Sequence, residues 1–253
     1  MSDFIYGRWP VLESLRAGRR HFQQLLIAEE ADEKGIIRKI IEAAENREVN
    51  VRRVPRRIVD DLAREGNHQG VVLRASAYRY VDVDNIMTIS KERNEKPFLL
   101  VLDLLKDPQN VGVLLRIADA VGVHGVIMQE RRGVGITASV VSASSGACEH
   151  LAIAQVTNLV NTMKKLKEED VWFVGLDIGP HTQTIDRVDL NMGIGLVLGS
   201  EGDGMRRLVR ETCDVHMTLP MRGAVDSLNV ATVGSIALYS AWQARGWEGW
   251  KKP

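Results

Sequence analysis

The sequence has few cysteines, no excess of either charge and no long apolar run. Only Cys148 and Cys213 occur among 253 residues, which excludes a disulfide framework or a CxxC metal site and favours a reducing, cytoplasmic setting. The formal net charge is zero, which argues against an overall basic coat for binding nucleic acid. The uncharged stretch Ser227–Ala244 contains Ser, Asn, Thr, Gln and Gly, whereas a membrane span needs about 20 mostly apolar residues. We therefore expect no membrane segment, and the first ten residues do not resemble a signal peptide.

The composition is that of an ordinary globular protein, with 45% hydrophobic and 26% charged residues. Its length fits one large or two small domains. Arginines cluster locally at Arg52, Arg53, Arg56 and Arg57. Such a cluster could contact phosphate groups, although a solvated surface is the simpler explanation.

Strand-like and helix-like segments alternate along the chain, more strongly in its second part. Residues 78–97 between the two parts are polar, charged and weakly patterned, which is typical of a linker. We therefore predict an N-terminal domain over residues 1–77, a linker over 78–97 and a second domain over 98–253. The alternation indicates an α/β fold with a mainly parallel sheet. Ligands of such sheets bind at the carboxyl ends of the strands.

The first candidate segment follows the predicted strand that ends at Leu102. Pro108 is expected just inside the start of a helix, and Asn110 is a good helix cap. Arg116 falls on an apolar part of this helix, where an arginine needs an acidic partner or an anionic ligand. A snorkelling or ion-paired arginine is the structural alternative.

The second candidate segment is Gly199-Ser200-Glu201-Gly202-Asp203-Gly204. Its glycines follow a buried strand and precede a helix, so backbone N–H groups can approach a ligand. The spacing is not that of a phosphate-binding loop or a dinucleotide-binding motif. Glu201 would also repel a phosphate. A tight strand-to-helix turn is the alternative.

The third candidate segment runs from Leu219 to Val230. Ser227 is expected to cap a long helix that continues to Ala244, with Asn229 in the first turn. Small polar side chains at a helix start, set between apolar residues, can orient a ligand by hydrogen bonds. The same residues could serve for capping alone.

In their order and spacing, the three segments resemble the signature motifs of the SpoU (TrmH) family of RNA ribose 2′-O-methyltransferases, within the SPOUT superfamily. The motifs are Asn110-x-Gly112-x-x-x-Arg116, then Leu198 through Gly204, then Leu219-Pro220-Met221 with Ser227-Leu228-Asn229-Val230. Ile5-Tyr6-Gly7 and His68-Gln69-Gly70 are similar to the family's N-terminal substrate-binding domain. The most similar subgroup methylates one guanosine of bacterial large-subunit ribosomal RNA. Asp226 stands where a small polar residue is expected.

The resemblance implies a C-terminal SPOUT domain with a trefoil knot and an N-terminal α/β domain like small ribosomal RNA-binding proteins. It implies S-adenosyl-methionine as the cofactor, RNA as the substrate, a homodimer and no metal. The implied cofactor-binding residues are Leu198, Gly199, Gly202, Leu219 and Leu228. The implied catalytic residues are Asn110, Arg116, Glu201, Ser227 and Asn229.

The chemistry agrees with this interpretation. A sulfonium leaving group is already cationic, so methyl transfer needs no metal, and the sequence has no metal-ligand spacing. Arg116 would stabilise developing negative charge on the ribose oxygen, because a guanidinium holds its proton too tightly to be a good base. The alternatives are a transfer RNA substrate, a resistance-type ribosomal site, a non-catalytic RNA-binding scaffold, and a nucleotide-cofactor oxidoreductase that uses the glycine turn.

Overall fold

Helices and strands alternate along the chain, as the hydrophobic pattern predicts. The computed structural model describes residues 2–64, 66–224 and 227–250, so Asp226 lies outside the described residues. The strands are β1 Ser2–Tyr6, β2 Phe22–Ala28, β3 Asn50–Val54, β4 Val71–Ser76, β5 Phe98–Asp103, β6 Gly125–Gln129, β7 Ile153–Val156, β8 Trp172–Leu176, β9 Gln183–Thr184, β10 Ile194–Gly199 and β11 Val215–Thr218. The helices are α1 Arg8–Ala17, α2 Ile36–Glu45, α3 Arg56–Ala63, α4 Val83–Arg93, α5 Pro108–Ala120, α6 Ala138–Ala143, α7 Leu159–Lys167, α8 Arg207–Thr212 and α9 Val230–Ala244.

Contacts between residues divide the chain into two units. The first comprises Met1–Arg79, Val111–Arg116 and Gly135–His150, and the second comprises the remaining residues. Two stretches beyond residue 98 therefore group with the N-terminal residues. Sequence patterning follows the order of the chain, so it could not indicate this grouping.

The first unit contains a four-stranded sheet in the order β1-β4-β2-β3. β4 lies antiparallel between β1 and β2, while β2 and β3 are parallel. A buried ion pair in this unit joins Arg20 to Glu149, with 2.6 Å between guanidinium and carboxylate and side chains only 1% and 0% exposed. Asp3 accepts a further hydrogen bond from Arg20 at 3.0 Å. These bonds tie the N-terminal strand to the short 3-10 turn Ala147–Glu149.

The second unit contains a seven-stranded sheet in the order β7-β6-β5-β10-β8-β11-β9, and its strand pairs are parallel. β5 and β10 are buried along their whole length, as expected for central strands covered on both faces. The mainly parallel α/β fold predicted from the sequence is confirmed. Within the described ranges, every helix is too short or too polar to cross a lipid bilayer.

The stretch predicted as a linker contains a helix. α4 occupies Val83–Arg93, and its Ile86 and Met87 are buried in the core of the second unit. Asp82 caps it through a capping box with Asn85. The hydrophobic pattern gave no sign of this helix, because a short helix with few buried positions leaves only a weak periodic signal.

Candidate active site

A cavity of about 880 Å³ opens in the second unit at the carboxyl ends of β8, β10 and β11. This is the edge where parallel α/β sheets bind ligands. Eight of the predicted site residues line it: Leu198, Gly199, Glu201, Gly202, Leu219, Ser227, Leu228 and Asn229. Segments far apart in the sequence therefore meet around one cavity.

The loop after β8 also lines this cavity, and sequence reasoning missed it. Asp177, Ile178, Gly179 and Thr182 contribute to the wall. The signal was present, because this loop also follows a strand of the parallel sheet at its carboxyl end. It carries no repeated glycine or recognisable motif, so it did not draw attention.

In the turn from Gly199 to Gly204, the backbone at Gly199 lies very close to the backbone of Gly204 and Met205. A Cβ at Gly199 would lie 2.1 Å from the carbonyl carbon of Gly204 and from the backbone nitrogen of Met205. Ser200 and Gly204 exchange backbone hydrogen bonds of 3.0 and 2.9 Å across the turn. The turn therefore requires glycine at position 199.

An ion pair anchors the end of the same turn. The buried Asp103, at the end of β5, accepts hydrogen bonds of 2.8 Å from the backbone N–H of Arg206 and from its Nε. α8 begins directly after Arg206, at Arg207. The anchor fixes the wall that carries Glu201.

Asn110 lies at the centre of a hydrogen-bond network within the second unit. Its Nδ2 donates to Asp107 Oδ2 at 2.8 Å and to Glu201 Oε1. Its Oδ1 accepts from Asn229 Nδ2 at 3.0 Å. If the amide of Asn110 were flipped, its oxygen would face the carboxylates of Asp107 and Glu201. The network therefore fixes which side of the amide carries the nitrogen. Asn110 thus positions Glu201 and Asn229.

The two helix starts differ from the predicted ones. Asp107, not Asn110, caps α5, where its carboxylate accepts from the backbone N–H groups of Gln109 and Asn110. Pro108 occupies the first turn as predicted. These hydrogen bonds, from Gln109 first and then from the Asn110 side chain, lower the pKa of Asp107. Asp107 therefore stays ionised in the network.

Asn229, not Ser227, caps α9. Its Oδ1 accepts from the backbone N–H groups of Ala231 and Thr232 at 2.8 and 3.3 Å. Ser and Asn are equally good caps, so the pattern alone could not rank them. Ser227 lies before the helix, on the wall of the cavity.

Arg116 is not among the residues that line the 880 Å³ cavity. It is exposed on α5, and its guanidinium donates a hydrogen bond to Ser145 Oγ at 3.1 Å within the first unit. Among the described residues, no carboxylate lies within ion-pair distance of it. Gly112, in the same motif, packs against protein, because a Cβ there would lie 2.3 Å from that of Ala143.

The charge of the cavity wall is one-sided. Asp177, Glu201 and Asp203 contribute carboxylates, and no Lys, Arg or His is among the described residues that line it. Asp177 is paired with Arg210 behind the wall at 2.6 Å, so Glu201 and Asp203 supply the negative charge that is not balanced by an arginine. An acidic wall attracts a cationic ligand and repels phosphate groups. In the part of the chain that the structure describes, no group of three or more His, Cys, Asp and Glu side chains is placed to hold a metal ion.

Comparison with known proteins identifies the family. Residues 97–239 match the SpoU rRNA Methylase family, and residues 4–81 match a domain described as RNA 2′-O ribose methyltransferase substrate binding. YacO of Bacillus subtilis (strain 168), assigned by name to the TrmH family of tRNA/rRNA methyltransferases, is 41% identical over 96% of each chain. A TrmH-family relative from Staphylococcus saprophyticus is 38% identical over 97% of each chain. The chain therefore belongs to the SpoU (TrmH) family of RNA methyltransferases.

Solved structures share the fold. The SpoU methyltransferase AviRb from Streptomyces viridochromogenes, in complex with AdoMet, superposes with a TM-score of 0.78 at 22% identity, covering 96% of this chain and 90% of AviRb. An AdoMet-bound rRNA methyltransferase from Sinorhizobium meliloti gives 0.76 at 22% identity, over 96% and 87% of the two chains. The prediction of an S-adenosyl-methionine-dependent RNA methyltransferase is confirmed at the level of the family.

Proposed function

We propose that this enzyme transfers a methyl group from S-adenosyl-methionine to the 2′-hydroxyl of a ribose, in a guanosine of large-subunit ribosomal RNA. The observation that carries the proposal is the acidic cavity at the carboxyl edge of the parallel sheet. S-adenosyl-methionine carries a cationic sulfonium and an ammonium group, which such a wall attracts. The phosphate groups of a nicotinamide dinucleotide would be repelled by it, which disfavours the oxidoreductase alternative.

The residues of the cavity fit S-adenosyl-methionine. Its volume of about 880 Å³ lies within the range of about 300–1,000 Å³ typical of small-molecule sites. Leu198, Leu219 and Leu228 supply apolar wall for an adenine ring, while Gly199 and Gly202 leave backbone groups open to the ligand. When bound, the cofactor supplies an electrophilic methyl group on a cationic sulfur.

The remaining chemistry falls to side chains of this chain. A ribose hydroxyl attacks well only as it loses its proton, so it needs a proton acceptor and stabilisation of the developing charge. Among the five proposed catalytic residues, Glu201 alone has a carboxylate, so we assign it as the proton acceptor. It acts through Oε2, since Asn110 holds Oε1. Arg116 stabilises the oxyanion and the neighbouring phosphate. Ser227 and Asn229 orient the ribose by hydrogen bonds.

We assign RNA binding to residues 1–77 and catalysis to residues 98–253, joined by residues 78–97 with helix α4. The match of residues 4–81 to a substrate-binding domain supports this assignment. We also propose a cytoplasmic location, because ribosomal RNA is the proposed substrate. A transfer RNA substrate, a resistance-type ribosomal site and a non-catalytic scaffold remain the rivals.

Methyl transfer to isolated RNAs tests the substrate. Full-length enzyme is incubated with labelled S-adenosyl-methionine and either large-subunit ribosomal RNA or total transfer RNA, with a chelator present throughout. We expect label in ribosomal RNA, at one guanosine. Label in transfer RNA alone would show that transfer RNA, and not ribosomal RNA, is the substrate. Cofactor binding without transfer to any RNA would support a non-catalytic RNA-binding scaffold. Loss of cofactor binding in the chelator would contradict the metal-free site.

We further propose that the enzyme is a homodimer whose cofactor domain forms a trefoil knot, as the family resemblance implies. The uncharged helix α9 supports the dimer, because Ile236 and Tyr239 are 41% and 43% exposed on one side of it. A stripe of large apolar side chains on a helix usually packs against another surface. A second copy of the chain would cover it.

Mixed dimers test whether two chains share one site. Arg116→Ala and Asn229→Ala chains are unfolded and refolded together in equal amounts, so that half of the dimers are mixed. If Arg116 of one chain serves the cofactor held by the other, each mixed dimer keeps one intact site and roughly a quarter of normal activity returns. If activity stays near zero although mixed dimers are present, both residues belong to one chain's site. Each variant refolded alone is the control.

A further inference from the structure

A second cavity, of about 620 Å³, lies in the first unit and shares no residue with the cavity described above. Its wall comes from the start of α1, the loop after β2, the start of α3 and the turn before β4. Arg8, Trp9, Glu30, Arg56 and Gln69 supply its large polar and aromatic side chains. The cavity thus combines one aromatic ring, two guanidinium groups and one carboxylate. These groups are suited to binding a nucleotide.

Arg8 is held in a fixed position with its terminal nitrogens available. Its backbone N–H donates to Gln69 Oε1 at 3.0 Å, and its Nε donates to the backbone oxygen of Gln69 at 3.1 Å. Among the described residues, the terminal nitrogens of Arg8 have no acceptor. Gln69 makes these contacts with a φ of +51°, a left-handed conformation that is costly for a residue other than glycine. The protein thus tolerates local strain to present a pre-positioned guanidinium.

The other groups of the cavity are also available. Trp9 is 54% exposed, which leaves much of its ring in water. Arg56 has a loose ion pair, with 3.9 Å between its Nε and Asp60. Unpaired nucleotides are bound by stacking their bases on exposed aromatic rings while arginines contact the phosphates.

Glu30 is the group of this cavity whose hydrogen bonds can distinguish one base from another. A carboxylate only accepts hydrogen bonds. Guanine is the RNA base that presents two neighbouring N–H donors, N1–H and N2–H, on one edge, and these match the two oxygens of a carboxylate. Glu30 would also repel a phosphate, so it suits the base rather than the backbone.

We propose that this cavity binds one unpaired guanine nucleotide of the substrate RNA. Trp9 stacks on the base, Glu30 accepts from N1–H and N2–H, and Arg8 and Arg56 contact the adjoining phosphates. The proposal rests on the proposed function, because it takes the substrate to be RNA. It gives the N-terminal part of the chain a specific task, which is to recognise a nucleotide through a site other than the cofactor cavity.

Fluorescence anisotropy with labelled pentaribonucleotides tests the proposal. Full-length enzyme is saturated with S-adenosyl-homocysteine, so that the cofactor cavity is filled, and titrated with UUGUU and UUAUU. We expect UUGUU to bind about tenfold more tightly. Trp9→Ala should weaken binding of UUGUU by about tenfold, and Trp9→Phe should restore much of it. Glu30→Gln should remove the preference for guanine and leave the affinity for UUAUU unchanged.

Two matched controls lie outside the cavity. Glu29→Gln changes the neighbouring exposed glutamate, and Trp172→Ala removes a tryptophan that is 48% exposed in the second unit. Both should bind like wild type. Equal binding of the two pentamers by wild type, or wild-type behaviour of Trp9→Ala or Glu30→Gln, would overturn the proposal. Methyl transfer by the wild type is measured separately, so failure of the proposed function shows as absent transfer whatever the pentamers do.

Discussion

Asn229 combines two roles that substitutions can separate. Its Oδ1 caps α9 through the N–H groups of Ala231 and Thr232, and its Nδ2 donates to Asn110 Oδ1. Asn229→Ala removes both. Loss of a cap costs about 0.5–2 kcal/mol, and leaving Asn110 Oδ1 without its donor costs about 1 kcal/mol more. A total of about 2 kcal/mol lowers the Tm of a unit of this size by about 4–8 °C.

Asn229→Asp keeps the cap and breaks the network. A carboxylate accepts the same backbone N–H groups and is favourable at a helix start. It has no N–H for Asn110, however, and it places a third carboxylate beside Asp107 and Glu201. We therefore expect Asn229→Asp to lose about 1 kcal/mol, the cost of the unpaired Asn110 Oδ1, and to melt about 2–4 °C below wild type. Its turnover should fall about as far as that of Asn229→Ala.

The matched control is Asn158→Ala. Asn158 caps α7 by accepting from the backbone N–H of Asn161 at 3.0 Å, and it lines neither cavity. It should lose about 1 kcal/mol of stability and keep its turnover. Thermal melts by circular dichroism and methyl-transfer rates on the four proteins decide the matter. Wild-type turnover in Asn229→Asp would refute the role given to its side-chain N–H.

Three further predictions concern other residues. Arg116→Ala should lower turnover about 10²-fold or more without changing cofactor affinity by calorimetry, and near-normal turnover would make Arg116 a surface residue. Arg20→Ala leaves Glu149 buried without its partner, at a cost of about 3–5 kcal/mol. Arg16→Ala removes only the more exposed pair that Arg16 makes with Glu13 and should cost at most about 1 kcal/mol. Equal Tm values for the two variants would contradict this difference. Burial lowers the pKa of His124 in the folded protein. As the pH falls below about 6.5, His124 is therefore protonated in the unfolded chain before it is protonated in the folded one. The free energy of unfolding falls over this range, from about pH 6.5 down to the pKa of the folded state. Tm measured from pH 7 to 5 should fall more for wild type than for His124→Asn, and parallel curves would contradict the assignment.

Much of the fold followed from hydrophobic pattern. Buried parallel strands such as Phe98–Asp103 and Ile194–Gly199 are continuous apolar runs, and their lengths leave little choice of structure. Helix α4 escaped prediction because its buried residues are few. The grouping of Gly135–His150 with the N-terminal residues escaped because it depends on contacts distant in sequence, such as that between Arg20 and Glu149.

The motifs predicted individual residues of the candidate site, but they could not predict the hydrogen bonds between those residues. The motifs indicated Glu201, Asn110 and Asn229 as functional residues, and the structure joins these three through one amide. Pattern could not choose between neighbouring residues with equal capping ability, so Asp107 and Asn229 were missed as caps. The roles of the residues in catalysis stay predictions.

The position of the transferred methyl group tests the central claim most directly. RNA methylated by the full-length enzyme is digested to nucleosides, and each methylated nucleoside is fragmented in a mass spectrometer into its base and its sugar. We expect the mass that is gained when CH₃ replaces the hydroxyl hydrogen to stay with the sugar of guanosine. A methyl group on the base fragment would contradict it.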